Sequence, residues 1–506
     1  MSTEDPSWGK DHLFLIGLLL LSCIISIPFV YHDSFGERDA YRIALGTIHA
    51  TIADQFFESE FLYGVTHSFG HYSWLFLFSH WIKTDPSFIF PLMNYSNTIS
   101  FVFMTIPFFY LVNRYWGLHS AIVANVVLML TPVWWRLSQF GHPQVPAILF
   151  MFIGLALLGM RSHLSKLKKN KPSIFILDSL IVLAFSVCLT IRLDAILLFP
   201  LIPACLILER YPLKSAVGRG ALYCAVPILI FLFFRETLLP KHEGGQGILG
   251  TLTLLWHWHN PTRFSENFLR GNTIFFNAYS PYLLFFFLLS TLYLIFTRCY
   301  PTLFFFLPIV FVNYIFWLPN PSPGRHFVYL APTFAVPIAI YVVRLRDWLA
   351  HLIPRKKGLI TLGILPVFIF GFLASPYIPL FKSFPFYKNP YTSEWGQIVG
   401  RLGSDLQQLD ALGQPLFVVT DSIPVLVNMF LNGTISQIAY KDGLTFINNT
   451  KNDFVFCELG SQESHVALLR RKSTEYENFQ WMIDPYNSAI YNQPFNANPS
   501  GSHGDN

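Results

Sequence analysis

Apolar runs of helical length alternate with short polar stretches from Leu13 to Leu373, and the pattern predicts helices near 13–30, 91–112, 119–133, 144–160, 174–191, 194–209, 221–235, 274–296, 302–318, 326–343 and 359–373. Runs of this length match the hydrocarbon thickness of a bilayer, where recurring helices rather than an outer-membrane barrel satisfy the backbone. The expectation is a mainly α, polytopic transmembrane bundle of about eleven helices. The stretch His67 to Trp81 is also apolar but rich in Trp, Tyr and His. Counting it as a span reverses the side of the next basic loop, so it is laid in the outer interface, as an interfacial helix of a first outer loop over 31–90. Ile27-Pro28-Phe29-Val30 offers no small-residue cleavage site, so the first run reads as a retained anchor.

After Leu373 the pattern changes. Residues 375–491 carry Asp, Gln, Asn, Glu and Ser at the density of a soluble protein, with strand-like runs at Pro415 to Thr420 and Asp453 to Glu458 and a helical pattern at Ser422 to Leu431 between them. The organisation expected is therefore a membrane domain over 1–374, a small extracytoplasmic α/β domain over 375–491, and a disordered tail over 492–506 rich in Asn, Pro, Gly and Ser.

Composition agrees with the pattern: the chain is 53% hydrophobic and only 12% charged, outside the range of soluble domains of its 506 residues. The formal charge of +5 comes largely from three loops. Arg161, Lys166, Lys168, Lys169 and Lys171 crowd one, Arg210, Lys214 and Arg219 another, and Arg344, Arg346, Arg355, Lys356 and Lys357 the third. By the positive-inside rule these face the cytoplasm, which puts the N-terminus inside and the C-terminal domain outside. This is the basic balance of a membrane protein, and nucleic acid is not an expected partner.

Little points to redox or metal chemistry. Five of the six cysteines fall in or at the ends of helices, where Cys acts as a small hydrophobe. His257-Trp258-His259 offers two imidazoles, but in a Trp-rich context that reads as an interfacial belt. No Gly-rich phosphate loop with a following Lys-Ser or Lys-Thr is present, which disfavours an ATP-driven machine.

What remains is a set of ionisable groups on the outer side, where charges beside lipid are costly and usually have a task. Glu37, Arg38 and Asp39 come just after the first helix. His71 lies in the interfacial stretch, Arg136 and His142 in the next outer loop, and Arg192 with Asp194 at the end of the 174–191 run. Arg235, Lys241, His242, His257, His259, Arg263 and Arg270 come next, then Arg325 with His326. A carboxylate among many cations suits deprotonation of an acceptor while a phosphate leaving group is held. Singly, each cation also fits a headgroup-level anchor.

The order of these features resembles the GT-C superfamily of polyprenyl-phosphate-sugar-dependent glycosyltransferases, especially its protein O-mannosyltransferase and aminoarabinose-transferase-like branches. Members carry an acidic pair just after the first helix; here the stretch is Arg38-Asp39-Ala40-Tyr41, with Asp39 in the place of the second acid, Arg38 replacing the first, and Glu37 as its substitute. Thr66-His67 to His71-Tyr72 is similar to the His/Pro-rich interfacial helix, without its prolines. Leu189 to Pro200 resembles a Leu-Thr-Arg-x-x-Ala-Leu-Leu-Leu-x-Pro segment, and Gly324 to Pro332 an Arg-Tyr-x-x-Pro run that opens a late helix.

The resemblance implies one inverting displacement, with Asp39 as general base assisted by Glu37. It also implies donor-phosphate contacts from Arg192, Arg325 and Arg263, and substrate contacts from Arg38, His71, His142, Asp194, His257, His259 and His326. The implied partners are a polyprenyl-phosphate-linked sugar, a lipid, glycan or protein hydroxyl acceptor, and membrane lipids. No cofactor is obligatory, although some members of the superfamily use a divalent metal. A bacterial cytoplasmic membrane is the expected location. The alternatives are a secondary transporter, disfavoured by one-sided charge and the lack of an inverted repeat, and a non-catalytic scaffold or a polymerase or ligase of lipid-linked glycans.

Overall fold

A computed structural model describes residues 8–30, 47, 69–82, 89–139, 141–166, 171–238, 268–269, 271–273, 275–276, 278–279, 281–317 and 324–352, and the strands 417–420, 436–439, 454–461 and 464–471. The chain divides into two compact units, 1–388 and 389–506. In the first, the described helices are α1 (Trp8–Ser26), α2 (Phe69–Ile82), α3 (Ile89–Trp116), α4 (Leu118–Met129), α5 (Pro132–Leu137), α6 (Gln144–Lys166), α7 (Lys171–Ile191), α8 (Leu201–Leu208), α9 (Leu213–Leu238), α10 (Pro281–Phe296), α11 (Tyr300–Trp317) and α12 (Ala331–Leu352). Two 3-10 segments, Leu193–Leu198 and Gly324–Leu330, precede α8 and α12.

Among the described residues, five helical stretches are long and apolar enough to cross a membrane: Leu92–Trp116, Gln144–Leu164, Pro172–Ile191, Leu213–Phe234 and His326–His351. Shorter apolar stretches add Asp11–Ser26, Leu118–Met129, Leu193–Leu208, Pro281–Phe296 and Tyr300–Phe316. This is a multi-pass membrane architecture. The expected helix over 359–373 lies outside the described residues. Two expected helices are broken by proline: 119–133 divides at Thr131 into α4 and α5, with Pro132 at the first turn of α5, and 194–209 divides into the 3-10 segment Leu193–Leu198 and α8 across Pro200. The interfacial stretch is a helix, α2, whose 14 residues are too few to span.

The bundle is built around α3, α6 and α7, with α1 and α4 against α3, α9 against α7, and α12 between α4 and α10. Large aromatics fill the contacts. Phe108 and Phe152, both fully buried, meet edge to face at 5.5 Å between α3 and α6. Phe275, Tyr279, Phe327 and Phe334 form a second box, with Phe275–Phe327 at 5.1 Å and Tyr279–Phe334 at 4.8 Å. That box braces the 3-10 segment Gly324–Leu330, because the buried Tyr279 hydroxyl also donates to the Phe327 carbonyl.

The second unit contains a four-stranded sheet of order β2-β1-β4-β3, from β1 (Phe417–Thr420), β2 (Ser436–Ala439), β3 (Phe454–Ser461) and β4 (Ser464–Arg471). β4 runs antiparallel to both neighbours, with Ser461 opposite Ser464 at the β3–β4 hairpin, while β1 and β2 are parallel. A parallel pair needs a crossover. The expected helix at Ser422 to Leu431 falls on that connection and lies outside the described residues.

Candidate active site

At the end of α7 the helix stops at Ile191, Arg192 takes an extended backbone, and the chain turns into the 3-10 segment that begins at Leu193. This brings two side chains that a regular helix would splay apart onto one spot. The Arg192 Nε donates to Asp194 Oδ1 at 2.8 Å, with the two side chains only 5% and 12% exposed. The same carboxylate oxygen accepts from the Tyr329 hydroxyl at 2.7 Å, and Asp194 Oδ2 lies 3.6 Å from His326 Nδ1. Tyr329 and His326 both come from the 3-10 segment Gly324–Leu330, which packs on Leu193–Leu198. A buried carboxylate is tolerable only when paired in this way.

A second wall comes from α2. Gly70 lies so close to α7 that a Cβ there would sit 2.8 Å from the carbonyl carbon and Oγ1 of Thr190 and 2.9 Å from the Ile191 amide. Only glycine lets the two backbones approach this closely. His71 comes next, fully buried, and its Nδ1 accepts from the Trp74 indole N–H at 3.1 Å. Burial first, and then the nearby charges of His142 and Arg192, lower its pKa to about 3. His71 is therefore neutral and, because Nδ1 is an acceptor, carries its proton on Nε2. That N–H is buried with no acceptor among the described residues.

The third wall is the loop between α5 and α6, which holds His142. Asn97 donates to the Leu137 carbonyl at 3.1 Å and to the His142 carbonyl at 2.5 Å, Thr98 to the Ser138 carbonyl at 2.8 Å, and the Gly141 amide to Asn94 Oδ1 at 2.7 Å. Three polar residues of α3 thus satisfy a loop that would otherwise bury unpaired backbone. His142 Nδ1 in turn contacts Gln144 Oε1 at the start of α6.

The structure brings Arg192, Asp194, His326, His71 and His142 to one end of the bundle. Arg192, expected as a donor-phosphate contact, is buried and paired with Asp194. Arg325 lies in the 3-10 segment beside His326, with its side chain outside the description, and Glu37, Arg38, Asp39, His257, His259 and Arg263 lie outside the described residues altogether. Among the described residues, no group of three His, Cys, Asp or Glu side chains is arranged to hold a metal ion. Cys23, Cys188, Cys205, Cys224 and Cys299 are free thiols. Sequence reasoning missed Tyr329 and Trp74. The spacing of Tyr329 three residues after His326 was a usable signal, since residues three apart share a face.

No protein-family model and no curated protein matches this sequence. Two solved structures of ArnT from Cupriavidus metallidurans do share its fold. The one bound to undecaprenyl phosphate superposes with a TM-score of 0.55 at 11% identity, covering 92% of this chain and 99% of that one. The apo state gives 0.53 at 12% identity, over 92% and 98%. The chain thus shares the fold of ArnT, and the resemblance read from the sequence is borne out at the level of fold.

Proposed function

We propose that the chain is an inverting membrane glycosyltransferase that moves a sugar from a polyprenyl-phosphate donor to a hydroxyl acceptor at the extracytoplasmic face. The observation that carries this reading is the buried cluster of Arg192, Asp194, His326 and Tyr329, with His71 and His142 beside it, at one end of an ArnT-like fold. The buried His71 Nε2–H, with no acceptor among the described residues, points the chemistry toward an oxygen-rich or anionic ligand. ArnT itself has been crystallised with undecaprenyl phosphate, a ligand of that class.

In this reading the acceptor oxygen attacks the anomeric carbon as the carbon–oxygen bond to the phosphate breaks. Asp39 takes the acceptor proton, and the polyprenyl phosphate leaves with its electron pair, its charge neutralised by Arg192, Arg325 and Arg263. Glu37 and Arg38 set the electrostatics around the base, and His71, His142, Asp194, His257, His259 and His326 line the substrate. Asp194 keeps Arg192 oriented between turnovers. The membrane domain over 1–374 carries this chemistry, and the domain over 375–491 is extracytoplasmic.

Deletion of the gene, followed by mass spectrometry of lipid-linked sugars and envelope glycans, tests the reading. The unused donor should accumulate and one glycan modification should vanish. Unchanged pools of both would remove the enzyme and favour a transporter.

A further inference from the structure

A groove of about 870 Å³ runs between α7 and α9, walled by apolar side chains that include Phe175, Val182, Leu183, Val226, Ile230 and Phe234. One end is polar. Arg161 contacts both oxygens of Asp178 at 2.7 and 3.3 Å, and the Tyr223 hydroxyl donates to the same carboxylate, so that pair is internally compensated. Arg219 is different. It is exposed, its guanidinium lies 5.0 Å over the Tyr211 ring, and among the described residues it makes no ion pair. The groove therefore opens at an uncompensated cation.

Depth narrows the occupant. From Asp178 to Thr190 along α7 is about 18 Å, and from Arg219 to Phe234 along α9 about 22 Å, at 1.5 Å per residue. One leaflet of hydrocarbon is roughly 15 Å. The groove thus takes a chain of one leaflet's depth below a headgroup-level cation, and Lys171 and Lys214 stand in the first turns of α7 and α9. Bulk lipid wets any exposed apolar face without headgroup preference. A guanidinium 5.0 Å over an aromatic ring, at the lining of the same apolar slot, adds recognition of a phosphate.

We propose that this groove binds an anionic glycerophospholipid of the bilayer, its phosphate on Arg219 and an acyl chain between α7 and α9. The site is independent of the glycosyl-transfer reading. An acyl chain of one leaflet's depth matches the groove's length, so the proposed occupant is the bilayer lipid rather than a carrier polyprenyl phosphate.

Native mass spectrometry of the full chain in detergent, titrated with dioleoyl phosphatidylglycerol or dioleoyl phosphatidylcholine, tests this. The anionic lipid should be retained roughly tenfold better, the size of one charge-assisted contact. Arg219→Gln should abolish that preference, Arg219→Lys should keep part of it, and Val226→Trp, which fills the groove, should reduce retention of both lipids. Equal retention of the two lipids by the wild type overturns the proposal, as does an intact preference in Arg219→Gln. Displacement of phosphatidylglycerol by an equal concentration of polyprenyl phosphate overturns it too, since the occupant is then the carrier lipid.

Discussion

Arg192 and Asp194 close a 2.8 Å ion pair across the break between α7 and the adjoining 3-10 segment, although only Leu193 separates them in sequence. Because both are buried, removing either takes from the other its charge partner at 2.8 Å. Arg192→Ala or Asp194→Asn alone should cost about 3–5 kcal/mol, and the double variant clearly less than the sum. Unfolding of the four proteins of this cycle in one detergent measures the coupling. Additive losses would show that the pair contributes no mutual stabilisation.

Gly70 sets how near α2 comes to α7. Gly70→Ala places a methyl group 2.8 Å from Thr190 backbone, which cannot yield as a flexible side chain can. The variant should be destabilised by about 1–3 kcal/mol and should shift His71 away from Arg192. Thermal unfolding reads the first effect. An unchanged melting temperature would mean that α2 is less tightly docked than this contact indicates.

The sequence carried the helical skeleton and much of the cluster because each depends on local pattern: apolar runs mark α3, α6, α7 and α12, and Arg192, Asp194 and His326 stand out as charges beside lipid. It did not carry the pairings. That Tyr329 would meet Asp194, or that Asn94, Asn97 and Thr98 would satisfy the loop before α6, depends on contacts 40 to 135 residues apart. Periodicity also runs straight through Thr131 and Pro200, where the backbone breaks, since apolar content continues on both sides. Trp74 was hidden by abundance, aromatic residues making up 17% of the chain.

His71 should give the protein a pH-dependent stability with a defined sign. Its pKa is 6.5 in an unfolded chain and about 3 in the fold, so below pH 6.5 the unfolded state binds a proton that the folded state refuses. The contribution is complete above pH 6.5 and is lost progressively as the pH falls toward 3, at no more than about 1.4 kcal/mol per unit. Comparing melting temperatures between pH 7.5 and 5 checks this. His71→Gln should flatten part of the decline, and identical pH profiles for variant and wild type would assign the acid sensitivity elsewhere.

Sidedness is open to chemical labelling. Single cysteines at Asp39 and Ser422 should react with an impermeant maleimide in intact cells, and one at Lys168 should react only after permeabilisation. Labelling of the Lys168 position from outside would invert the bundle and place the Arg192 cluster on the cytoplasmic side.

In the proposed mechanism Asp39 is the base, and Asp39→Asn preserves shape while removing basicity. Glycosyl transfer at saturating lipid donor should fall roughly 10²–10⁴-fold, with insertion and melting temperature unchanged. Glu37→Gln should cost less, acting through the electrostatics of Arg38. Arg192→Lys should recover only part of what Arg192→Ala loses, because a point charge does not reproduce a bidentate guanidinium contact. If Asp39→Asn turns over normally and Glu37→Gln is dead, the base is Glu37. If neither substitution slows transfer, proton abstraction belongs to a different carboxylate, and buried Asp194, whose Oδ2 lies 3.6 Å from His326 Nδ1, is the next to replace.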